Sequence, residues 1–250
     1  MTFRAGLGLA ALLFTTTPLL AAEGHRWGYE GEGGPNHWGE ISEEFAACAT
    51  GASQSPIDIV PTNAVAAAVS PVETNWQAFI PTVVNNGHTI QANTNGQGGY
   101  AMLDGKRYDL LQFHFHHQSE HTINGQHAPM EVHFVHKSEA GDLLVLGVML
   151  QAGTANPAIS SVWSTAPAAG NETVASGEID ISGLLPATST SFRYQGSLTT
   201  PPCSEIVTWN VYAEPAQLSQ EQIDTFGTLY PNDARPVQPL NRRFILSDAS

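Results

Sequence analysis

Residues 108–117 read "YDLLQFHFHH". Alternating polarity and aromatic content mark a strand, yet three imidazoles in four positions are an awkward load for one. Histidine neither buries cheaply nor solvates as well as lysine or glutamate, and it is the commonest metal ligand. Side chains of a strand alternate between faces, so His114 and His116 point the same way, roughly 7 Å apart, while His117 points to the other face. Two imidazoles so spaced can converge on one ion, and a third ligand has to come from another strand.

A second strand is legible in "MEVHFVHK" (130–137), and the Asn-Gly of "INGQ" (123–126) is a strong hairpin cue that brings it back alongside the first. His133 and His136 differ by three, so they lie on opposite faces; one of them can join the pair, and spacing alone does not choose. Three neutral nitrogens with one open position is the coordination of a catalytic zinc, whereas structural zinc sites are usually closed by four protein ligands, often thiolates. Gln112 and Glu131 sit two residues before His114 and His133, on the same strand faces, where they can hold the second ring nitrogen of each ligand.

Outward from this pair, strand signals recur in "FIPTVVNNG" (79–87), "HTIQAN" (88–93), "LLVLGVMLQ" (143–151), "SFRYQGSL" (191–198) and "IVTWNVYA" (206–213), each set off by Gly, Asn or Pro. A short helix is expected in "ISEEFAACATG", ended by Gly51, and another at 216–226, "AQLSQEQIDTF"; residues 63–69 are ambiguous. Trp27, Tyr29 and Trp38 fasten an irregular, glycine-rich arm to a surface. The expectation is one mainly β domain over 23–250, built on a large, mostly antiparallel twisted sheet with a few short peripheral helices.

Acids outnumber bases 23 to 9 in a chain of formal charge −14. Such a surface repels nucleic acid and anionic lipid, which sets both aside as partners. Residues 1–22 follow the order of a secretory signal peptide: a basic start at Arg4, the apolar run "AGLGLAALLF", then small residues around Ala21 and Ala22. That run is far short of the roughly 20 residues a membrane span needs. Export in turn gives Cys48 and Cys203 a meaning, since two cysteines in an oxidising compartment favour a disulfide.

Taken together, "QFHFHHQSEHT", "PMEVHFVHK", "NNGH", "GSLTTPPCSE" and "QSPIDI" resemble the α-class carbonic anhydrases, over essentially the whole mature chain. The resemblance implies zinc-dependent, reversible hydration of carbon dioxide to bicarbonate and a proton, by attack of zinc-bound hydroxide. It makes His114, His116 and His133 the Zn2+ ligands, with Gln112 and Glu131 behind them. Thr199 becomes the hydroxyl that orients the nucleophile, coupled to a buried Glu120, and His88 becomes the proton shuttle. Val135, Val145, Leu198, Thr200, Val207 and Trp209 match the substrate pocket, and Tyr29, Asn86 and Gln91 match a polar wall of ordered water. "PLNRRF" (239–244), around Arg242, is the nearest match to the segment whose backbone carbonyl supports the middle ligand. Cys203, directly after the prolines, matches the exported bacterial branch in pairing with the cysteine near "SPIDI". A periplasmic or secreted enzyme follows, with no membrane insertion after processing; a monomer and a homodimer both stay open.

Two competitors are weaker. The cupin metal motif shares His-x-His-x3-Glu, but its two glycine positions are held here by Tyr108 and His127. A zinc-free binding module of the same fold would have lost a ligand histidine, and all three are present. His25, His37, His117, His121, His127 and His136 are expected to be ordinary packed or solvated residues.

Overall fold

The computed structural model describes residues 27–248. The signal peptide expected over 1–22, and His25, lie outside the described residues. Six strands carry the centre of the fold: β1 (Ile90–Asn93), β2 (Lys106–His116), β3 (Met130–Lys137), β4 (Leu143–Ala152), β5 (Ser191–Gly196) and β6 (Val207–Tyr212). They lie in the order β1-β2-β3-β4-β6-β5 within a 13-stranded sheet. Most pairs are antiparallel; β4 and β6 run parallel, which makes the sheet mixed.

Both faces of this sheet are covered, and the strands read accordingly: seven of the eight residues of β3 are buried. One face holds Phe113, Phe115, Val132, Phe134, Leu144, Leu146 and Val148, closed over by helices α1 (Pro157–Thr165) and α2 (Gln220–Leu229) through Ile159, Val162, Ile223 and Phe226. Burying each such side chain stabilises the fold by about 1.5–3 kcal/mol. The other face carries Val135, Val145, Met149, Tyr194, Val207, Trp209 and Val211 over part of its width.

A bulge on β2 decides which residues each face receives. Pairing with β3 shifts register between Leu110 and Gln112, leaving Leu111 as the extra, exposed residue. Before it, the even residues Tyr108 and Leu110 enter the α-helix-covered core; after it, the odd residues Phe113 and Phe115 do. Gln112, His114 and His116 are thereby turned to the opposite face.

Several local expectations need correction. Residues 216–226 are not one helix: Ala216–Leu218 is a strand beside β4, and α2 starts only after Ser219. Ser219 accepts the amide of Gln222 while the Gln222 side chain accepts the amide of Ser219, a capping box that fixes the start. The helix expected in 41–51 is broken into helical turns at Trp38–Ile41, Glu43–Phe45 and Ala47–Thr50, because Ser42 is extended. The ambiguous 63–69 contains the strand Val65–Ala67, parallel to Leu246–Asp248. Helix α1 was not anticipated; Asn156 caps it and Pro157 opens it.

The Asn-Gly turn forms, but inside the connection between β2 and β3, where it closes an isolated bridge, and not as the joint between those two strands. Asn124 and Gly125 both have positive φ, and Ile123 and Gln126 exchange backbone hydrogen bonds across them. Trp27, Tyr29 and Trp38 pack edge to face, with Trp38 fully buried beside the Cys48–Cys203 disulfide, which spans 155 residues of sequence. No helix among the described residues is long and apolar enough to cross a membrane.

Candidate metal centre

Register across the open face aligns side chains in rows. One row runs Gln91 (β1), His114 (β2), His133 (β3), Gly147 (β4) and Val211 (β6); the next runs Asn93, Gln112, Val135, Val145, Trp209 and Tyr194 (β5). Each row starts polar at β1 and β2 and ends apolar at β4 and β6. The histidines stand at the junction. His116 extends the group, opposite Glu131.

Ligand nitrogens of His114, His116 and His133 lie within 4.8 Å of one another. Every one of the three rings has its other nitrogen held. His114 Nδ1 meets Gln112 Oε1 at 2.8 Å, His116 Nδ1 meets the backbone carbonyl of Asp233 at 2.8 Å, and His133 Nε2 meets Glu131 Oε1 at 2.9 Å. An acceptor on each of these nitrogens fixes the proton there and leaves the remaining lone pair to face its neighbours. The His116 carbonyl support therefore comes from Asp233 in "PNDARP", correcting the expectation of "PLNRRF" around Arg242. A carbonyl leaves no side-chain signature, so that role was not readable from sequence.

Burial holds the three imidazoles neutral: it lowers His133, pushes His116 down to about 4, and drives His114 well below its ordinary range with help from the neighbouring rings. His116 Nε2 is a buried polar atom without a hydrogen-bond partner. Neutral, convergent nitrogens, one of them orphaned, fit a borderline-soft divalent cation such as Zn2+. No thiol competes, since both cysteines are bridged.

Glu131 is a saturated carboxylate. Oε2 accepts the amides of Glu120 and His121, both at 2.9 Å, and Oε1 accepts His121 Nδ1 at 2.8 Å besides His133. Burial alone would raise its pKa, but the surrounding His121 and His133 hold it well below the carboxylate range. Gly147 makes room for it: a Cβ there would stand 2.9 Å from Glu131 Oε1.

Glu120 is completely buried, and burial pushes its pKa up to about 7 against the opposing pull of His133 and of hydrogen bonds from Thr199 and the Arg235 amide. The amide donates to Oε1 at 2.9 Å. Arg235 itself is buried, its guanidinium donating to Gln54, Ser55 and Cys48. His121, expected to be ordinary, belongs to the Glu131 network.

A cleft of about 160 Å³ opens above the three histidines. Val135, Val145, Leu198, Thr199, Thr200 and Trp209 line it on one side, and Tyr29, Asn86, His88, Gln91 and Gln112 on the other. Val207 is fully buried in the same apolar cluster, opposite Leu143 and two positions along β6 from Trp209. His88 stands at the rim, its amide held by Asn86 Oδ1 at 2.9 Å and its ring stacked on Trp27 with centroids 3.7 Å apart. Partial burial lowers its pKa.

A mainly β scaffold with three convergent imidazoles at the floor of a half-polar, half-apolar cleft defines a class of protein with a site that could hold a metal ion. Comparison with known proteins narrows it. The profile described as eukaryotic-type carbonic anhydrase matches residues 33–249. A carbonic anhydrase of Nostoc sp. is 44% identical over 88% of this chain and 85% of its own length. One from Pectobacterium carotovorum is 40% identical over 96% and 98%. The solved α-carbonic anhydrase of Thermovibrio ammonificans, in complex with the inhibitor sulfanilamide, is 47% identical with a TM-score of 0.86, covering 89% of this chain and 99% of that one. The chain belongs to the eukaryotic-type, or α, carbonic anhydrase family, and is an enzyme of that kind.

Proposed function

We propose that this enzyme hydrates carbon dioxide reversibly to bicarbonate and a proton, with Zn2+ as its cofactor and His114, His116 and His133 as the ligands. The observation that carries this reading is the pairing of every ligand ring with its own acceptor, on Gln112, Asp233 and Glu131, so that three lone pairs are left to converge. Zinc so held supplies a Lewis acid that makes water a nucleophile near neutral pH.

The chain's own residues do the rest. Glu120 accepts from the Arg235 amide, and the Thr199 hydroxyl is placed to donate to the same carboxylate. With its proton committed to Glu120, Thr199 can offer only lone pairs to an attacking water, which orients that water's own lone pair towards carbon. A divalent cation nearby favours the ionised Glu120 that this arrangement needs. Val135, Val145, Leu198 and Trp209 offer an uncharged, linear substrate an apolar wall without a cationic clamp. On the opposite wall, Tyr29, Asn86 and Gln91 can hold the ordered water that leads to His88, which passes the product proton to solvent.

The Cys48–Cys203 bridge supports a periplasmic or secreted location. A stopped-flow hydration assay with and without a zinc chelator tests the function. Activity that survives complete metal removal would refute it.

A further inference from the structure

"QSPIDI" (54–59) entered as a motif without a task, and Ser55 within it lies at the middle of an unbroken buried polar path. From Glu131, His121 Nε2 reaches Tyr194 Oη at 2.6 Å, and Tyr194 Oη reaches Ser55 Oγ at 2.9 Å. Ser55 and Ser197 are then paired twice: the Ser55 amide to Ser197 Oγ at 2.9 Å, and the Ser197 amide to Ser55 Oγ at 3.1 Å. Ser197 Oγ ends on the Leu198 carbonyl, one residue before Thr199. Ser55, His121 and Ser197 are fully buried, and Tyr194 is nearly so.

Glu131 accepts four hydrogen bonds, all that a carboxylate's lone pairs allow. His121 must therefore donate from Nδ1, and its Nε2 meets the Tyr194 hydroxyl. The Tyr194 hydroxyl donates to Ser55 Oγ, which also takes the Ser197 amide. Trp209 walls the path, stacked parallel to Tyr194, edge-on to His121 and His133, and donating to the Ser197 carbonyl at 3.0 Å. Gly196 permits the closeness: a Cβ there would overlap Ser55 Oγ and stand 2.8 Å from the Tyr194 ring.

We infer that His121, Tyr194, Ser55 and Ser197 form one continuous hydrogen-bond chain that ties the orientation of the metal-ligating His133 to the position of the segment carrying Thr199. Ligand and orienting hydroxyl are then set together, although 66 positions of sequence separate them. His121 and Tyr194 are positioning residues. This inference rests on the proposed zinc site and deepens it.

The test uses the purified zinc-loaded chain. Tyr194→Phe keeps the ring and removes one hydroxyl. Zinc release to an excess of chelator should become about tenfold faster, and kcat/KM should fall by a similar factor with a displaced pH midpoint, as for loss of other groups behind metal ligands. Ser55→Ala, cut further from the metal, should lower kcat/KM while changing zinc release less, and it serves if Tyr194→Phe does not fold. Val132→Ala, on the opposite face of the sheet, controls for simple destabilisation and should leave zinc release and the pH midpoint where they are. Wild-type zinc release and pH midpoint in Tyr194→Phe, or equal shifts in Val132→Ala, would overturn the chain. If His133→Ala keeps zinc as firmly as the wild type, the ligand assignment itself fails, a different result from an inert Tyr194.

Discussion

His133 and His136 stand three residues apart on one strand, both buried, and do opposite things. His136 faces the helix-covered side, where its two nitrogens are spoken for: Nε2 accepts from Trp76 Nε1 at 3.0 Å and Nδ1 meets the Phe134 carbonyl at 2.9 Å. His133 faces the cleft, where Glu131 takes one nitrogen and two other imidazoles stand around the second. Burial neutralises both rings. What separates a core histidine from a ligand is thus neither residue type nor burial but whether the second lone pair has a partner inside the protein.

That difference can be broken most forcefully at the ligand. His133→Ala, like His114→Ala, should remove zinc retention and bring carbon dioxide hydration down to the uncatalysed rate; atomic absorption on the purified variant, read beside stopped-flow rates, checks both at once. Full activity in either variant would contradict the assignment. On the packed face the effect should be energetic instead. Phe134→Ala, next along the strand and fully buried, should cost about 3–5 kcal/mol in denaturant unfolding while its folded fraction keeps the wild-type kcat.

Alternation within strands made the two faces legible, and with them the pairing of His114 and His116 and the placing of Gln112 and Glu131. The limit of that reading lies at Leu111. A bulge reverses the parity of β2, so Leu110 and His114 leave the strand on different faces although both positions are even. The sequence carries no mark of it beyond a Leu-Leu pair. The Asp233 carbonyl, the Arg235 amide and the paired serines escaped for a related reason: backbone groups and small hydroxyls are anonymous until the fold juxtaposes them. Strand alternation also places Val207 on the face of Trp209, where it is fully buried in the same cluster.

Acid should separate the two faces more gently. His136 has a pKa pushed down to about 4 by burial, against about 6.5 in an unfolded chain. Above pH 6.5 both states are neutral and its contribution is constant. Between 6.5 and 4 the unfolded chain binds a proton that the folded one refuses, so stability falls as pH drops. His136→Phe should make the slope of unfolding free energy against pH shallower by about 1.4 kcal/mol per unit across that window. An unchanged slope would mean that the ring is not held neutral by its packing.

The smallest effect belongs to the rim, where His88 is neither packed away like His136 nor drawn to the floor of the cleft like His133. Its ring lies flat on Trp27, and partial burial lowers its pKa. His88→Ala leaves the three ligands and Thr199 untouched, and zinc content should not change. Turnover in weak buffer should fall by about tenfold, less than the roughly 10²–10⁴-fold of a group acting on the reacting atoms themselves, and imidazole in solution should restore it. A rate that is the same at every buffer concentration would show that protons leave by another route, and the polar wall of Tyr29, Asn86 and Gln91 would then have to reach solvent without a histidine at its end.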